Sequence, residues 1–105
     1  MDAPPPLTAR EVYLVLKDVA LGVRTMRRVG QLSWREIYAG NMSVEVDGWL
    51  VTLFNDCYTL DYCEECVAPD GRVGTFEEWY RQGTDPVSLL STWEHEQLEC
   101  LLDSL

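Results

Sequence analysis

Among its 105 residues the chain has a single histidine, two phenylalanines and only eight lysines and arginines. Its longest nearly unbroken apolar stretch runs only from Val12 to Leu16. A membrane-spanning helix needs about 20 such residues, so none is expected and no membrane partner is read. One histidine leaves most general acid–base schemes to carboxylates. Gly71 and Gly74 are isolated turn glycines, so there is no glycine-rich phosphate loop. Asp56, Asp61 and Asp70 lack the one-three-five register of a calcium loop. The opening Met1-Asp2-Ala3-Pro4-Pro5-Pro6 has neither a basic region nor an apolar one, which gives no secretory signal and an expected cytoplasmic location. Without export, the four cysteines are expected as free thiols or metal ligands rather than disulfides.

The scarce cations are also unevenly placed. Residues 1–35 carry six basic side chains against three acidic ones, whereas residues 36–105 carry only Arg72 and Arg81 against fifteen acids. Nucleic-acid binding rests on neutralising phosphates, so direct contact through the acidic part is excluded. A basic protein partner suits that part better.

The patterning predicts a flexible proline-rich leader over 1–7 and one α+β domain over 8–105. Thr8 and Glu11 form a capping box opening a helix from Ala9 to Arg27 or Arg28, with apolar stripe Val12, Val15, Leu16, Val19, Val23 and Met26. Its opposite face would carry a basic stripe of Lys17, Arg24 and Arg28 facing the chain's own acids. Ser33 and Glu36 repeat the capping pattern over a short helical turn. Asp47-Gly48 separates two alternating runs and predicts a two-residue hairpin turn pairing Val46 with Trp49, Val44 with Val51 and Met42 with Leu53 on the core face. Leu50 and Phe54 then fall on the other face, a candidate contact surface.

Tyr58, Leu60 and Tyr62 predict a third, shorter strand, and Pro69-Asp70-Gly71 a turn. Residues 75–82 fit a short helix or a strand. Asp85 as N-cap and Pro86 at the first helical position predict a last helix to about Asp103. Leu89, Leu90, Trp93, Leu98, Cys100, Leu101 and Leu105 would form its apolar arc, with Glu94 inside that arc beside an arginine, and Thr92, His95, Glu96, Glu99 and Asp103 its solvated side. The fold class is therefore a two-layer α+β domain, with N- and C-terminal amphipathic helices packed on an antiparallel hairpin or three-stranded sheet.

Three groupings bear on chemistry. Cys57, Cys63 and Cys66, with Cys100 or His95, have the donors for a tetrahedral zinc site, although a second paired motif is missing. Redox use of Cys63 and Cys66 is disfavoured by the acids between and beside them. Ser91, His95 and Glu99 follow helical spacing, yet an exposed helix face offers no oxyanion hole. From Asn55 to Tyr80, aromatic residues alternate with acids, which is the composition of a binding surface with ring anchors and an acidic rim.

The stretches VALGVRTMRRV (19–29), DGWLVTLFNDC (47–57) and TDPVSLLSTWEHEQ (84–97) resemble a family of small uncharacterised bacterial proteins of unknown function. That resemblance implies a single domain and assigns no activity, cofactor or site.

The expectation is a non-enzymatic interaction protein, of the inhibitor, immunity or nucleic-acid-mimicking type, that binds a basic macromolecule. Its partner-binding residues would be Tyr58, Asp61, Tyr62, Glu64, Glu65, Glu77, Glu78, Trp79 and Tyr80. No cofactor is expected on that reading, and homodimerisation is left open. The alternative is a small zinc-stabilised module using Cys57, Cys63 and Cys66 with Cys100 or His95.

Overall fold

The Asp47-Gly48 hairpin forms in the expected register at the centre of a five-stranded sheet, in a computed structural model that describes residues 4–105. Asp47 and Gly48 take φ of 48° and 88°, the left-handed pair such a turn requires. The strands are β1 (Met26–Arg28), β2 (Ala39–Val46), β3 (Trp49–Asp56), β4 (Thr59–Val67) and β5 (Val73–Thr75), each antiparallel to the next and lying in chain order. The helices are α1 (Ala9–Ala20), α2 (Trp34–Ile37), α3 (Phe76–Arg81) and α4 (Thr92–Asp103). The fold is α+β as expected, but the sheet is larger than a hairpin or three strands.

Much of that difference comes from α1. Its capping box forms, and Val12, Val15, Leu16 and Val19 are buried as expected. The helix stops at Ala20, however, because Gly22 adopts φ 79° and turns the chain. Asp18 holds that turn: its carbonyl accepts the N–H groups of Val23 and Arg24, and its carboxylate accepts Arg24 Nε at 3.1 Å. Val23 is therefore exposed, and Met26 is buried from β1 rather than from a helix. The expected basic stripe breaks up in the same way, since Arg24 pairs with Asp18 and Asp47 while Arg28 lies on β1.

Strand β4 is the longest strand, not the shortest, and its register slips twice against β3. Asp61 is skipped between Leu60 and Tyr62, and Glu64 between Cys63 and Glu65. Each slip is a bulge, with one extra residue on β4. Residues spaced three apart, Leu60, Cys63 and Cys66, consequently all face the core, and a period-two reading fails. The turn before β4 places Cys57 and Tyr58 at φ 52° and 73°, positions that favour glycine or asparagine. The buried Asn55 side chain fixes it by accepting Tyr58 N–H and donating to the Trp34 carbonyl, each at 2.7 Å.

Strand β5 pairs with β4 only over Glu65–Val67, so the same edge of β4 has no strand beside residues 59–64. Helix α4 lies along it. That helix starts at Thr92 under a Ser91–Glu94 capping box, six residues after the Pro86 start expected from Asp-Pro. Glu94 is therefore a cap and not an arginine partner. Leu98 and Leu102 enter the core, whereas Trp93 and Cys100 from the expected apolar arc are exposed. Residues 76–81 are helical, which settles the helix-or-strand alternative there.

The expected leader over 1–7 also loses its last residue to the domain. Met1 to Ala3 lie outside the described residues, but Leu7 is buried, donates to the Val73 carbonyl at 3.0 Å and accepts Trp79 Nε1 at 2.9 Å. This crossing is tight. A Cβ on Gly74 would meet the Trp79 ring at 2.5 Å and Leu7 at 3.0 Å. Gly74→Ala is therefore expected to lower stability by about 1–3 kcal/mol in chemical denaturation. Gly30→Ala, with open space around it, should stay within about 0.5 kcal/mol; equal effects would contradict this packing.

Candidate functional site

Inner and outer faces of the sheet differ sharply. Met42, Val44, Val46, Val51 and Leu53 face α1 and α4, while Leu50, Thr52 and Phe54 alternate onto a face that α1 and α4 leave open. On that face Phe54 opposes Tyr62 across β3 and β4, and their rings stack at 4.9 Å with planes 9° apart. Helix α3 continues the row, with Tyr62–Phe76 at 4.4 Å and Phe76–Tyr80 at 5.7 Å. Four rings thus run from the sheet onto α3. Offset aromatic contacts of this kind contribute about 0.5–1.5 kcal/mol each beyond the area they bury.

Past the row opens a cavity of about 780 Å³, lined by Asp61, Tyr62, Phe76, Tyr80, Gly83, Thr84, Asp85, Ser88 and Leu89. The unpaired edge of β4 brings Asp85 to its inner wall, while His95 and Glu99, on the same edge, line a separate depression. A buried backbone N–H must find an acceptor, and here three side chains serve the edge. Glu99 Oε2 accepts Leu60 N–H at 2.8 Å. His95 Nε2 lies 2.6 Å from the Leu60 carbonyl oxygen; since a carbonyl only accepts, Nε2 carries the proton. Asp85 Oδ1 accepts Cys63 N–H at 3.4 Å, and its Oδ2 accepts the N–H groups of Val87 and Ser88 at 3.1 and 3.2 Å. Asp85 is 5% exposed and has no cation against it among the described residues. Burial pushes its carboxyl above the ordinary aspartate value, against these hydrogen bonds.

The expected partner-binding residues are only partly assembled. Asp61, Tyr62 and Tyr80 meet at the cavity, Glu64 and Glu65 follow along β4, and Glu77 and Glu78 are exposed on α3. Trp79 is not a surface anchor: it is 1% exposed, donates its Nε1–H to the Leu7 carbonyl and packs over Gly74, while Tyr80 beside it is exposed. Tyr58 sits apart beside Tyr38, with ring centroids 5.2 Å apart, over a separate depression lined by Trp34, Arg35 and Cys100. Phe76 joins the ring row as the aromatic content of 55–80 suggests, whereas the sequence does not point to Asp85, Ser88 and Leu89 as part of the site. One signal was present, since an aspartate with serine three residues later marks a side-chain-capped turn as readily as a helix start.

The zinc arrangement is not assembled either. Cys57 and Cys100 are exposed, whereas Cys63 and Cys66 are buried on the inward side of β4. Among the described residues no three histidine, cysteine or acidic side chains converge to hold a metal. His95 and Glu99 are half-buried clamps on Leu60 rather than a solvated face, and Ser91 caps α4 instead of serving a catalytic triad.

A family model described as Domain of unknown function (DUF7693) matches residues 6–104. No curated protein and no solved structure matches the chain. No helix among the described residues is long and apolar enough to cross a membrane.

Burial pushes the Cys66 thiol up to about 12 and raises Cys63 well above its ordinary value, so neither forms a thiolate readily. A thiol alkylating reagent at neutral pH should therefore label Cys57 and Cys100 in the folded protein and all four cysteines after denaturation. Intact-mass measurement counts the adducts, and native labelling of Cys63 or Cys66 would contradict the inward placement of β4.

Proposed function

The chain belongs to that family of unknown function, so its own surface has to carry the reading, and we propose that it is a non-enzymatic interaction protein whose outer sheet face binds a basic protein partner. The supporting observation is the ring row Phe54–Tyr62–Phe76–Tyr80 with acids around it that have no cation of their own. Asp61, Glu64, Glu65 and Glu78 make no ion pair among the described residues. By contrast, seven of the eight basic side chains lie elsewhere or are spoken for: Arg24, Arg27, Arg35, Arg72 and Arg81 each hold an acid, and Arg10 and Lys17 lie on α1.

Aromatic anchors supply desolvated contact area, and an acidic rim steers and selects a positively charged partner. Tyr80 is 71% exposed, Leu50 38% and Val73 42%, so the face carries apolar surface that a partner would cover. Inhibition of the partner is the natural outcome where that partner uses its basic surface on phosphates, since carboxylates here take the phosphates' place.

A synthetic peptide rich in lysine and arginine and carrying two leucines tests this directly. Titrated into isotopically labelled protein, it should shift resonances of residues 54, 61–65 and 76–80. Affinity should fall at least tenfold between about 0.05 and 0.5 M salt. No binding, salt-independent binding, or shifts confined to the α1 side would overturn the reading.

A further inference from the structure

We propose that the cavity between β4, α3 and the 82–91 segment receives one arginine side chain of the partner, an inference that rests on the interaction reading above. Its volume of about 780 Å³ lies in the range of sites that enclose a ligand group. It differs from the rest of the outer face in three ways, and all three favour a planar cation.

Three rings line it. Tyr62, Phe76 and Tyr80 follow one another with centroids 4.4 and 5.7 Å apart, and Tyr80, which ends the row and is 71% exposed, leaves ring surface open to a ligand. The face of an aromatic ring is its electron-rich side and attracts a cation placed over it. Its charge is uniformly negative: Asp61 lines the cavity from the exposed bulge, Asp85 from the buried edge of β4, and no lysine or arginine lines it. Finally, the Asp85 carboxylate is met only by neutral donors, the N–H groups of Cys63, Val87 and Ser88 and the Ser88 hydroxyl. The Cys63 contact on Oδ1 is long, at 3.4 Å, which leaves that oxygen the weaker-served of the two. Desolvation disfavours this charge, and a cation seated above it offsets that cost.

A guanidinium meets these features better than an ammonium. It is planar, stacks on rings, is weakly hydrated and reaches a carboxylate with two parallel N–H groups. Leu89 supplies an apolar surface for the methylene stem.

The probe is N-acetyl-arginine amide, titrated into the labelled full chain to roughly tens of millimolar, the range expected of a single side chain. The lysine and norleucine analogues serve as comparisons. The arginine derivative should give saturable shifts of the Tyr62, Phe76 and Tyr80 ring resonances. Asp61→Asn and Tyr80→Ala should each weaken it about threefold or more; both positions are exposed, so spectral dispersion should be retained. Equal shifts from the norleucine analogue would make this an apolar pocket and overturn the proposal, as would equal or stronger binding of the lysine analogue. Absence of any response overturns it too. If the arginine derivative fails while the basic peptide still binds the face, only the cavity assignment falls; if both fail, the interaction reading falls with it.

Discussion

Two-thirds of one edge of β4 has no strand beside it, and the rest of the molecule is arranged around satisfying that edge. Strand β5 covers only Glu65–Val67. The remaining polar backbone is served by Glu99 and His95 from α4 and by Asp85 from the segment before it. An open edge invites pairing with another chain, and covering it with side chains removes that hazard. Each of these hydrogen bonds contributes little on balance, roughly 1 kcal/mol, but leaving a buried donor without an acceptor costs more. The three side chains also fix where α4 and the 82–91 segment sit.

The outer face follows from the same arrangement. The bulges at Asp61 and Glu64 absorb a mismatch between β3 and β4, and each extra residue is an acid. A bulge re-aims its strand. Here Asp61 is brought to a cavity that Asp85 lines from the covered edge, while Tyr62 remains in the ring row on the outer face. Packing on the opposite side keeps the face rigid: Val51 and Leu53 are wholly buried beneath it, and burial of each such side chain contributes about 1.5–3 kcal/mol. Anchoring rings on a fixed sheet reduces the ordering cost of binding.

Local signals in the sequence were read well where one motif decides one feature. The Asp47-Gly48 turn, its register, the caps at Thr8 and Ser33 and the Pro69-Asp70-Gly71 turn all stand in the structure. Features set by competition between signals were not. Apolar spacing continued past Gly22 and suggested one long helix, yet the glycine's positive φ ended it. Asp85-Pro86 and Ser91–Glu94 both look like helix starts; the Asp85 carboxylate does cap Val87 and Ser88, but only a turn follows it, and the second signal opens α4. Strand β4 was hidden because two bulges turn a two-residue period into a three-residue one. The site was legible as an acidic, aromatic segment, but Trp79 and Tyr80, adjacent in sequence, point to opposite environments that only the packing against Leu7 and Gly74 decides.

Backbone hydrogen exchange at Leu60 and Cys63 tests the covered edge most directly. Both amides are predicted to exchange as slowly as ladder amides such as those of Val51 and Leu53, with Asp85→Ala accelerating Cys63 far more than Leu60. Exchange of both at the rate of the exposed loop residues 29–32 would contradict the closure of β4 on which the cavity and its surface depend.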